Sequence, residues 1–220
     1  MNKFLSASLM CADLTKLYDS VKELENAGVD YLHLDIMDGS FVPNITLGFD
    51  LVNAIKSITD IPLDIHMMVN EPSRFIDRMK LDKNDYLCVH YESDVHVHRT
   101  LAQIKDRGVK AGLAINPQTP VECLRYLADY IDMALIMTVS PGFAGQKLFV
   151  GAERKTKDAR ELLNSLDCSS IPIEVDGNIS LENGRKLSRC GADIFVLGTS
   201  SLFVKDKNLA QATADFRAVL

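Results

Sequence analysis

Short apolar runs alternate with amphipathic stretches along the whole chain. Runs of Val, Ile and Leu of this kind, bounded by polar residues and turn residues, are typical of buried strands. They predict eight strands, at residues 4–9, 31–36, 63–68, 86–90, 110–115, 133–139, 173–175 and 194–197.

The stretches between these runs show the three-and-four spacing of amphipathic helices. In the first of them, Leu14, Leu17 and Leu24 share one face with other apolar residues, so this helix is expected to pack against a sheet. Asp13 precedes it and is expected to cap its free amide groups. The predicted helices lie at residues 13–27, 49–57, 72–79, 97–107, 121–130, 152–166, 181–189 and 208–219.

The repeated strand–helix pairs limit how the strands can be joined. A parallel neighbour cannot be reached by a hairpin, so the pairs predict parallel strands with right-handed crossovers. Eight pairs indicate that the sheet closes, and we predict an α/β fold, a (β/α)₈ TIM barrel forming a single domain over residues 1–220. An open doubly wound sheet is the alternative, but no Gly-x-Gly-x-x-Gly follows the first predicted strand.

Composition and charge narrow the class of protein further. The chain is 47% hydrophobic and 25% charged, which is typical of a folded globular protein. Its formal net charge of −6 argues against nucleic acid as a partner. Because no apolar run is long enough to span a bilayer and the first residues lack the core of a signal peptide, we expect a cytoplasmic protein with no membrane partner. Five scattered cysteines without a Cys-x-x-Cys pair do not suggest a zinc ribbon.

Ionisable residues alternate with apolar ones on three of the predicted strands. On the second strand, His33, Asp35 and Met37 fall at alternate positions and therefore share one face. In a barrel of this type the working groups lie at the carboxyl ends of the strands. The same alternation places Asp64, His66 and Met68 on one face of the third strand, and Glu174 and Asp176 on one face of the seventh.

Two imidazoles and two carboxylates from these strands would converge at one end of the barrel: His33, Asp35, His66 and Asp176. Taken singly, an interior histidine is commonly a hydrogen-bonded core residue, and an aspartate at a strand end commonly caps the next helix. Burying all four without a compensating ion would be costly. The set therefore predicts one divalent metal ion, namely zinc, manganese, iron or cobalt, with magnesium as the alternative.

Three further segments have the residues expected of a phosphate site or a closing loop. Residues 140–146 (SPGFAGQ) follow the sixth strand, and their glycines would let backbone amides approach an anion or let the loop close over a ligand. Phosphate sites in such barrels form after the seventh and eighth strands, although the sequences found here also occur in ordinary turns. The residues concerned are Gly177 and Asn178 after the seventh strand, and Gly198 and Thr199 after the eighth.

Three methionines, Met37, Met68 and Met137, each lie near the end of a predicted strand. They either fill gaps in the core or form a wall of the substrate pocket.

The remaining histidines are His90, His96 and His98. They have no set of acidic partners in the sequence, so we expect solvent exposure or capping and assign them no function.

Four segments together resemble the ribulose-phosphate 3-epimerase family. They are residues 32–44 (LHLDIMDGSFVPN), 64–69 (DIHMMV), 137–146 (MTVSPGFAGQ) and 174–177 (EVDG). The resemblance runs from Ser8 to Phe203, and the first motif is highly specific. It implies a (β/α)₈ barrel, a divalent metal ion, and epimerisation at C3 of a phosphorylated ketose by a homo-oligomeric enzyme.

The resemblance also implies roles for individual residues. Asp35 and Asp176 match the two acid/base residues, and together with His33 and His66 they match the metal ligands. Ser8 and His66 match substrate contacts. The closing loop matches Gly142, Phe143, Ala144 and Gly145, and the phosphate site matches Gly177, Asn178, Gly198 and Thr199.

Departures from the family pattern at three places concern the choice of sugar. Many members have a second glycine where this chain has Asn178, a serine in place of Thr199, and an asparagine and a glycine in the loop in place of Ser140 and Ala144. These substitutions resemble the branch that acts on D-allulose 6-phosphate. The expected substrate is D-ribulose 5-phosphate, with D-allulose 6-phosphate as the alternative.

Two other functions are compatible with the same barrel. A metal-dependent aldolase or decarboxylase would yield carbon–carbon cleavage products. A non-catalytic sugar-phosphate sensor would bind its ligand without exchanging the C3 proton, but it would have no need to retain both acids and both imidazoles.

Overall fold

The computed structural model describes residues 2–220 and contains nine strands and six α-helices. The strands are β1 (Phe4–Ser8), β2 (Tyr31–Asp38), β3 (Ile45–Thr46), β4 (Leu63–Met68), β5 (Tyr86–His90), β6 (Lys110–Ile115), β7 (Met133–Met137), β8 (Ile173–Asp176) and β9 (Ile194–Leu197). The helices are α1 (Leu17–Ala27), α2 (Phe49–Lys56), α3 (Val97–Asp106), α4 (Ala152–Ser165), α5 (Leu181–Arg189) and α6 (Leu209–Arg217).

Eight parallel strands close into a barrel, as the sequence predicted. The order β1-β9-β8-β7-β6-β5-β4-β2 is completed by the pairing of β1 with β2. The ninth strand, β3, is a two-residue segment that pairs antiparallel with β2 where the loop after β2 folds back. The (β/α)₈ barrel is thus confirmed, while the single domain over residues 1–220 stays a prediction, and Met1 lies outside the described residues.

The main hydrophobic core lies between the barrel wall and the helices. Leu32, Leu34 and Ile36 of β2 pack in it, which leaves their alternate neighbours on the inner face. On the helix side, Val21 and Leu24 of α1 are fully buried in the same core. Alternation along β2 therefore positions the polar side chains of the site inside the barrel.

Two predicted helices are wrong, and a third begins later than predicted. Residues 72–79 and 121–130 form pairs of short 3₁₀ segments, Pro72–Arg74 with Ile76–Arg78 and Val121–Leu124 with Ala128–Tyr130. Isolated helices of this length are marginal, and apolar residues three apart are buried equally well by 3₁₀ turns. Asp13 caps the 3₁₀ segment Leu14–Lys16, so α1 begins only at Leu17, and Leu14 is 52% exposed.

Among residues 2–220, no helix combines the length and the apolar character needed to cross a membrane.

The barrel interior is closely packed where β5 and β6 run side by side. Gly112 of β6 pairs with Cys88 of β5, so the two residues share the inner face. A methyl group added at Gly112 would meet the Cβ of Cys88 at 2.8 Å and its Cα at 3.0 Å. Because one of these contacts is to the backbone, the strands would have to separate to admit it.

We expect Gly112→Ala to lower the free energy of unfolding by about 1–3 kcal/mol, which is the usual cost of overpacking a core. Urea unfolding followed by circular dichroism measures this change. Gly48→Ala is the control, because a methyl group at Gly48 meets nothing within 4 Å. Equal losses in the two variants would contradict the packing argument.

Candidate active site

The register between β2 and β4 places the histidines and carboxylates in adjacent rows. His33 pairs with Asp64, Asp35 with His66, and Met37 with Met68. Paired residues of parallel strands project from the same face of the sheet. The inward-facing side chains of β2 and β4 therefore lie side by side inside the barrel, in successive layers along its axis.

The four predicted metal ligands come together at the carboxyl end of the barrel. The Oδ1 atom of Asp35 lies 3.2 Å from Nε2 of His33 and 3.1 Å from Nδ1 of His66. Nδ1 of His66 is also 3.7 Å from Oδ2 of Asp176. One ligand atom from each of the four residues lies within 4.8 Å of the others. Two nitrogens and two oxygens in this arrangement can hold a divalent metal ion.

A second layer of ionisable residues lies below the first, and its members were not among the predicted site residues. Oδ2 of Asp64 is 2.6 Å from Nδ1 of His33 and accepts a hydrogen bond of 2.7 Å from the Ser6 hydroxyl. Glu174, fully buried beside them, has no hydrogen-bond donor for its carboxyl oxygens among residues 2–220. Burial and the Asp64 charge raise the pKa of Glu174 well above its usual value. The alternation of the strands could have indicated this layer, because both residues share the inner face with predicted ligands.

His90 and Glu92 also contact the site, although the sequence did not indicate it. His90 is fully buried, with its Nε2 atom 2.8 Å from Nε2 of His66 and its Nδ1 atom 3.2 Å from Oε2 of Glu92. Burial lowers the pKa of His90 to about 4. The prediction of solvent exposure or capping was therefore wrong for His90, whereas His96 and His98 are exposed as expected.

Asp35 and Asp176 occupy electrostatically different places. Burial by itself would raise the pKa of Asp35, but the charge and hydrogen bonds of His33 and His66 outweigh it and hold the pKa far below its usual value. Burial and the neighbouring Asp35 charge instead raise the pKa of Asp176 to about 6. The two carboxyl groups therefore differ in their affinity for a proton.

A cavity opens above the two carboxylates toward solvent. Ser8, whose hydroxyl donates to Oδ2 of Asp35 at 3.2 Å, lines it together with residues from the loops after β7, β8 and β9. His33 and His66 are fully buried beneath it. The other predicted substrate residues also line the cavity: Gly142, Phe143, Ala144, Gly145, Gly177, Asn178, Gly198 and Thr199.

Three methionines form an apolar part of the cavity wall. Met37, Met68 and Met137 line the cavity and are at most 4% exposed. Met37 and Met68 pack with Val42, and Met137 belongs to the cluster inside the barrel. Each side chain therefore packs in the core on one side and borders the cavity on the other, while a role as a wall of the substrate pocket stays a prediction.

Residues 140–146, called here the lid loop, are tied down on both sides of the cavity. The Asn44 side chain donates to the Gly142 carbonyl oxygen at 2.9 Å. From the opposite side, Nδ2 of Asn178 donates to the Gln146 carbonyl oxygen at 2.5 Å. Phe143, at the tip, remains 53% exposed.

The turn after β8 depends on a glycine. Gly177 has a φ of +118°, and a methyl group there would meet the backbone nitrogen of Val139 at 2.9 Å. No other residue fits both the conformation and the close approach. This packing holds the backbone of residues 177–178 at the edge of the cavity, next to Gly198 and Thr199.

Comparison with known proteins gives matches over nearly the whole chain. The model of the ribulose-phosphate 3 epimerase family matches residues 4–203. A relative from Bacillus subtilis, named ribulose-phosphate 3-epimerase, is 39% identical over 206 residues, covering 94% of this chain and 95% of its own. The chloroplastic ribulose-5-phosphate-3-epimerase of Arabidopsis thaliana is 40% identical over 204 residues, covering 92% of this chain and 72% of its own.

Solved structures with low sequence identity share the fold alone. A tryptophan synthase α-subunit mutant from Pyrococcus furiosus has a TM-score of 0.67 at 14% identity and covers 99% of this chain and 96% of its own. A thiamine phosphate pyrophosphorylase from the same organism has a TM-score of 0.64 at 13% identity, covering 99% of this chain and 94% of its own. Because the family model and close relatives both span the barrel and its site, the chain belongs to the ribulose-phosphate 3 epimerase family.

Proposed function

We propose that the chain interconverts D-ribulose 5-phosphate and D-xylulose 5-phosphate by inverting C3. The observation that carries this proposal is the meeting of Asp35 and Asp176 in a cavity that is also lined by Gly177, Gly198 and Thr199. The two carboxylates come from β2 and β8, which are separated in the barrel by β1 and β9. Membership of the family, whose relatives carry the name of this activity, supports the reaction.

Inversion next to a ketone requires a proton to leave one face of the carbon and another to arrive on the opposite face. Asp35 and Asp176 approach the cavity from separate strands, so each can exchange a proton with one face of C3. In one direction Asp35 would remove the proton while Asp176 delivers one, and the roles exchange in the other direction. The Ser8 hydroxyl, bonded to Asp35, orients that carboxylate.

The donor set fits a bound cation. If Nδ1 of His33 donates to Asp64 at 2.6 Å, then Nε2 of His33 points its lone pair at Asp35. Lone pairs of a nitrogen and an ionised oxygen about 3 Å apart repel each other unless a cation or a proton lies between them. The four converging ligand atoms therefore form an arrangement that a positive charge stabilises.

We therefore propose that His33, Asp35, His66 and Asp176 hold one divalent metal ion, with zinc, manganese, iron and cobalt as the candidates and magnesium as the alternative. When bound, such an ion supplies Lewis-acid stabilisation of the negative charge that develops as the C3 proton is removed. The buried methionines Met37, Met68 and Met137 form an apolar wall beside the site.

The phosphate cradle, defined as Gly177, Asn178, Gly198 and Thr199, would bind the phosphate group through backbone amides and the Thr199 hydroxyl. The lid loop would then cover the sugar, with Phe143 moving from solvent toward the cavity. A phosphorylated ketose is thus the proposed partner. The cytoplasmic location and the homo-oligomeric state stay predictions.

The D-allulose 6-phosphate alternative rests on substitutions in the lid loop and at Asn178 and Thr199, of which Asn178 replaces a glycine at the proposed phosphate site. In the structure the Asn178 side chain is engaged elsewhere: Nδ2 donates to the Gln146 carbonyl, and Oδ1 accepts from Asn183 at 2.9 Å. It is therefore not free to bind a phosphate displaced by an additional carbon. This engagement favours the five-carbon sugar.

We expect Asp35→Asn and Asp176→Asn each to lower kcat by about 10²–10⁴-fold, because an amide cannot accept the C3 proton. The measurement is proton NMR in heavy water, which follows both turnover and deuterium incorporation at C3. Asp129→Asn, on the exposed surface, is the matched control and should keep the wild-type rate.

Three outcomes of this experiment would contradict the proposal. Near-wild-type turnover in either variant would exclude the two-carboxylate mechanism. Carbon–carbon cleavage by the wild type would indicate an aldolase or decarboxylase. Binding without any deuterium incorporation by the wild type would indicate a sugar-phosphate sensor.

On one preparation, we expect kcat/KM to be higher for D-ribulose 5-phosphate than for D-allulose 6-phosphate. One additional hydroxymethylene changes binding in a pocket by about 1–3 kcal/mol, so the expected ratio is roughly 10- to 200-fold. A preference of more than about a hundredfold for the hexulose phosphate would reverse the assignment.

Asn178→Gly should release the lid loop, because it removes the hydrogen bond to Gln146 while glycine still accepts the φ of +54° found at this position. We expect faster amide hydrogen exchange within residues 143–147, measured by mass spectrometry, and a higher KM. Asn53→Ala, which removes side-chain hydrogen bonds to Arg78 and Lys80 away from the cavity, is the control. Unchanged exchange in Asn178→Gly would show that the side chain does not hold the loop.

A further inference from the structure

His90 is a fully buried imidazole that the proposed reaction does not use. It ends β5, and its ring lies 5.0 Å from the ring of His66 with an angle of 27° between the planes. Its two nitrogens contact Nε2 of His66, at 2.8 Å, and Oε2 of Glu92, at 3.2 Å. A chain of three polar groups thus runs from the proposed metal ligand His66 toward the outside of the barrel.

The outer end of this chain is held in one orientation. Oε1 of Glu92 accepts the backbone N–H of Asn116 at 2.9 Å and also the hydroxyl of Thr119. The loop carrying these donors is fixed in turn by the ammonium group of Lys155, which donates to the carbonyl oxygens of Asn116 and Thr119. The Glu92 side chain is 21% exposed and cannot rotate freely without breaking these bonds.

The direction of each hydrogen bond follows from the outer end. An ionised carboxylate only accepts, so Nδ1 of His90 must carry the hydrogen that faces Glu92. A neutral imidazole has one N–H, so Nε2 of His90 is an acceptor, and Nε2 of His66 must donate to it. Nδ1 of His66 then has no hydrogen and directs its lone pair toward Asp35, 3.1 Å away, and Asp176, 3.7 Å away.

We propose that Glu92 and His90 are positioning residues that fix the tautomer of His66, so that its Nδ1 atom is available to the metal ion. This inference rests on the proposed function, because it takes His66 as a metal ligand. His33, on the other side of the site, has a similar arrangement: Asp64 accepts a hydrogen bond from its Nδ1–H, which leaves Nε2 without a hydrogen and available to the metal ion. Outer partners of this kind orient ligand histidines and raise their basicity.

Glu92→Gln reverses the direction of the hydrogen bonds that join residue 92, His90 and His66, while the side chain keeps its size and shape. Because the Asn116 N–H and the Thr119 hydroxyl require an acceptor, the amide oxygen must take the place of Oε1, and the NH₂ group then faces His90. His90 must accept at Nδ1 and donate from Nε2, so His66 accepts at Nε2 and carries its hydrogen on Nδ1. That hydrogen occupies the position from which His66 would bind a metal ion.

The first test measures Zn²⁺ affinity by titration against a chelator of known affinity. We expect Glu92→Gln to weaken Zn²⁺ binding by about 10- to 100-fold, the usual effect of removing an outer partner. Glu122→Gln, the same change at an exposed position nearby, is the control and should bind as the wild type does. Wild-type affinity in Glu92→Gln would overturn the inference.

The second test reads the tautomer directly in the metal-free protein. In ¹⁵N-labelled histidine spectra, the wild type should show His66 with its hydrogen on Nε2, and Glu92→Gln should show it on Nδ1. The same tautomer in both proteins would overturn the inference. If the wild type binds no Zn²⁺, the metal part of the proposed function fails, while these spectra still report whether Glu92 sets the tautomer.

Substitutions of His90 separate positioning from packing. In His90→Gln, the new amide oxygen can accept from His66 while the NH₂ group donates to Glu92, so the chain of hydrogen bonds is kept. His90→Leu fills the space without hydrogen bonds, and we expect it to bind Zn²⁺ more weakly than His90→Gln. Equal affinities in these two variants, at similar thermal stability, would contradict the role of the hydrogen-bond chain.

Discussion

Ionisable groups buried in a barrel of apolar strands must be compensated, and this requirement shapes the carboxyl end of the molecule. Isolated charges are very costly in such surroundings, so each must meet an opposite charge, a hydrogen-bond partner or a bound ion. The parallel register of β2 and β4 satisfies part of this requirement by pairing His33 with Asp64 and Asp35 with His66. Glu174 is compensated in another way, because burial and the Asp64 charge raise its pKa and favour its neutral form. The remaining imbalance lies at Asp35 and Asp176, which line the cavity.

The buried ionisable groups and their partners lie in layers along the barrel axis. The deepest layer, around Asp64 and Glu174, has no opening to solvent and orients His33. The next layer contains the candidate ligand atoms that converge at Asp35. The outermost layer consists of the loops after β7, β8 and β9, which line the cavity. This order separates the groups that hold the site in place from those that would exchange protons with a substrate.

The hydrogen-bonded chain from His66 through His90 to Glu92 provides partners for buried polar groups in the barrel wall. An imidazole binds a metal ion only through a nitrogen that lacks a hydrogen, so the partner of its other nitrogen decides whether it is a ligand. Here that partner is a second imidazole, whose own state depends on a carboxylate held by the loop after β6. The orientation of His66, the proposed ligand, therefore depends on hydrogen bonds made near the surface.

The amino-acid sequence determined the barrel and the inner face of β2. The repetition of strands and helices predicted the barrel, and the alternation of apolar and ionisable residues along β2 predicted its inner face. Both patterns are local, so they can be recognised without knowing how distant segments pack. It also indicated Asp35 and Asp176, since they stand at predicted strand ends. Only the tertiary structure decided that residues 72–79 and 121–130 are 3₁₀ turns, because local spacing fits both conformations. Only the structure joined His90 to His66, because contact between residues 24 positions apart depends on strand register and ring orientation. Register is set by packing over the whole barrel, and no single segment of the sequence specifies it.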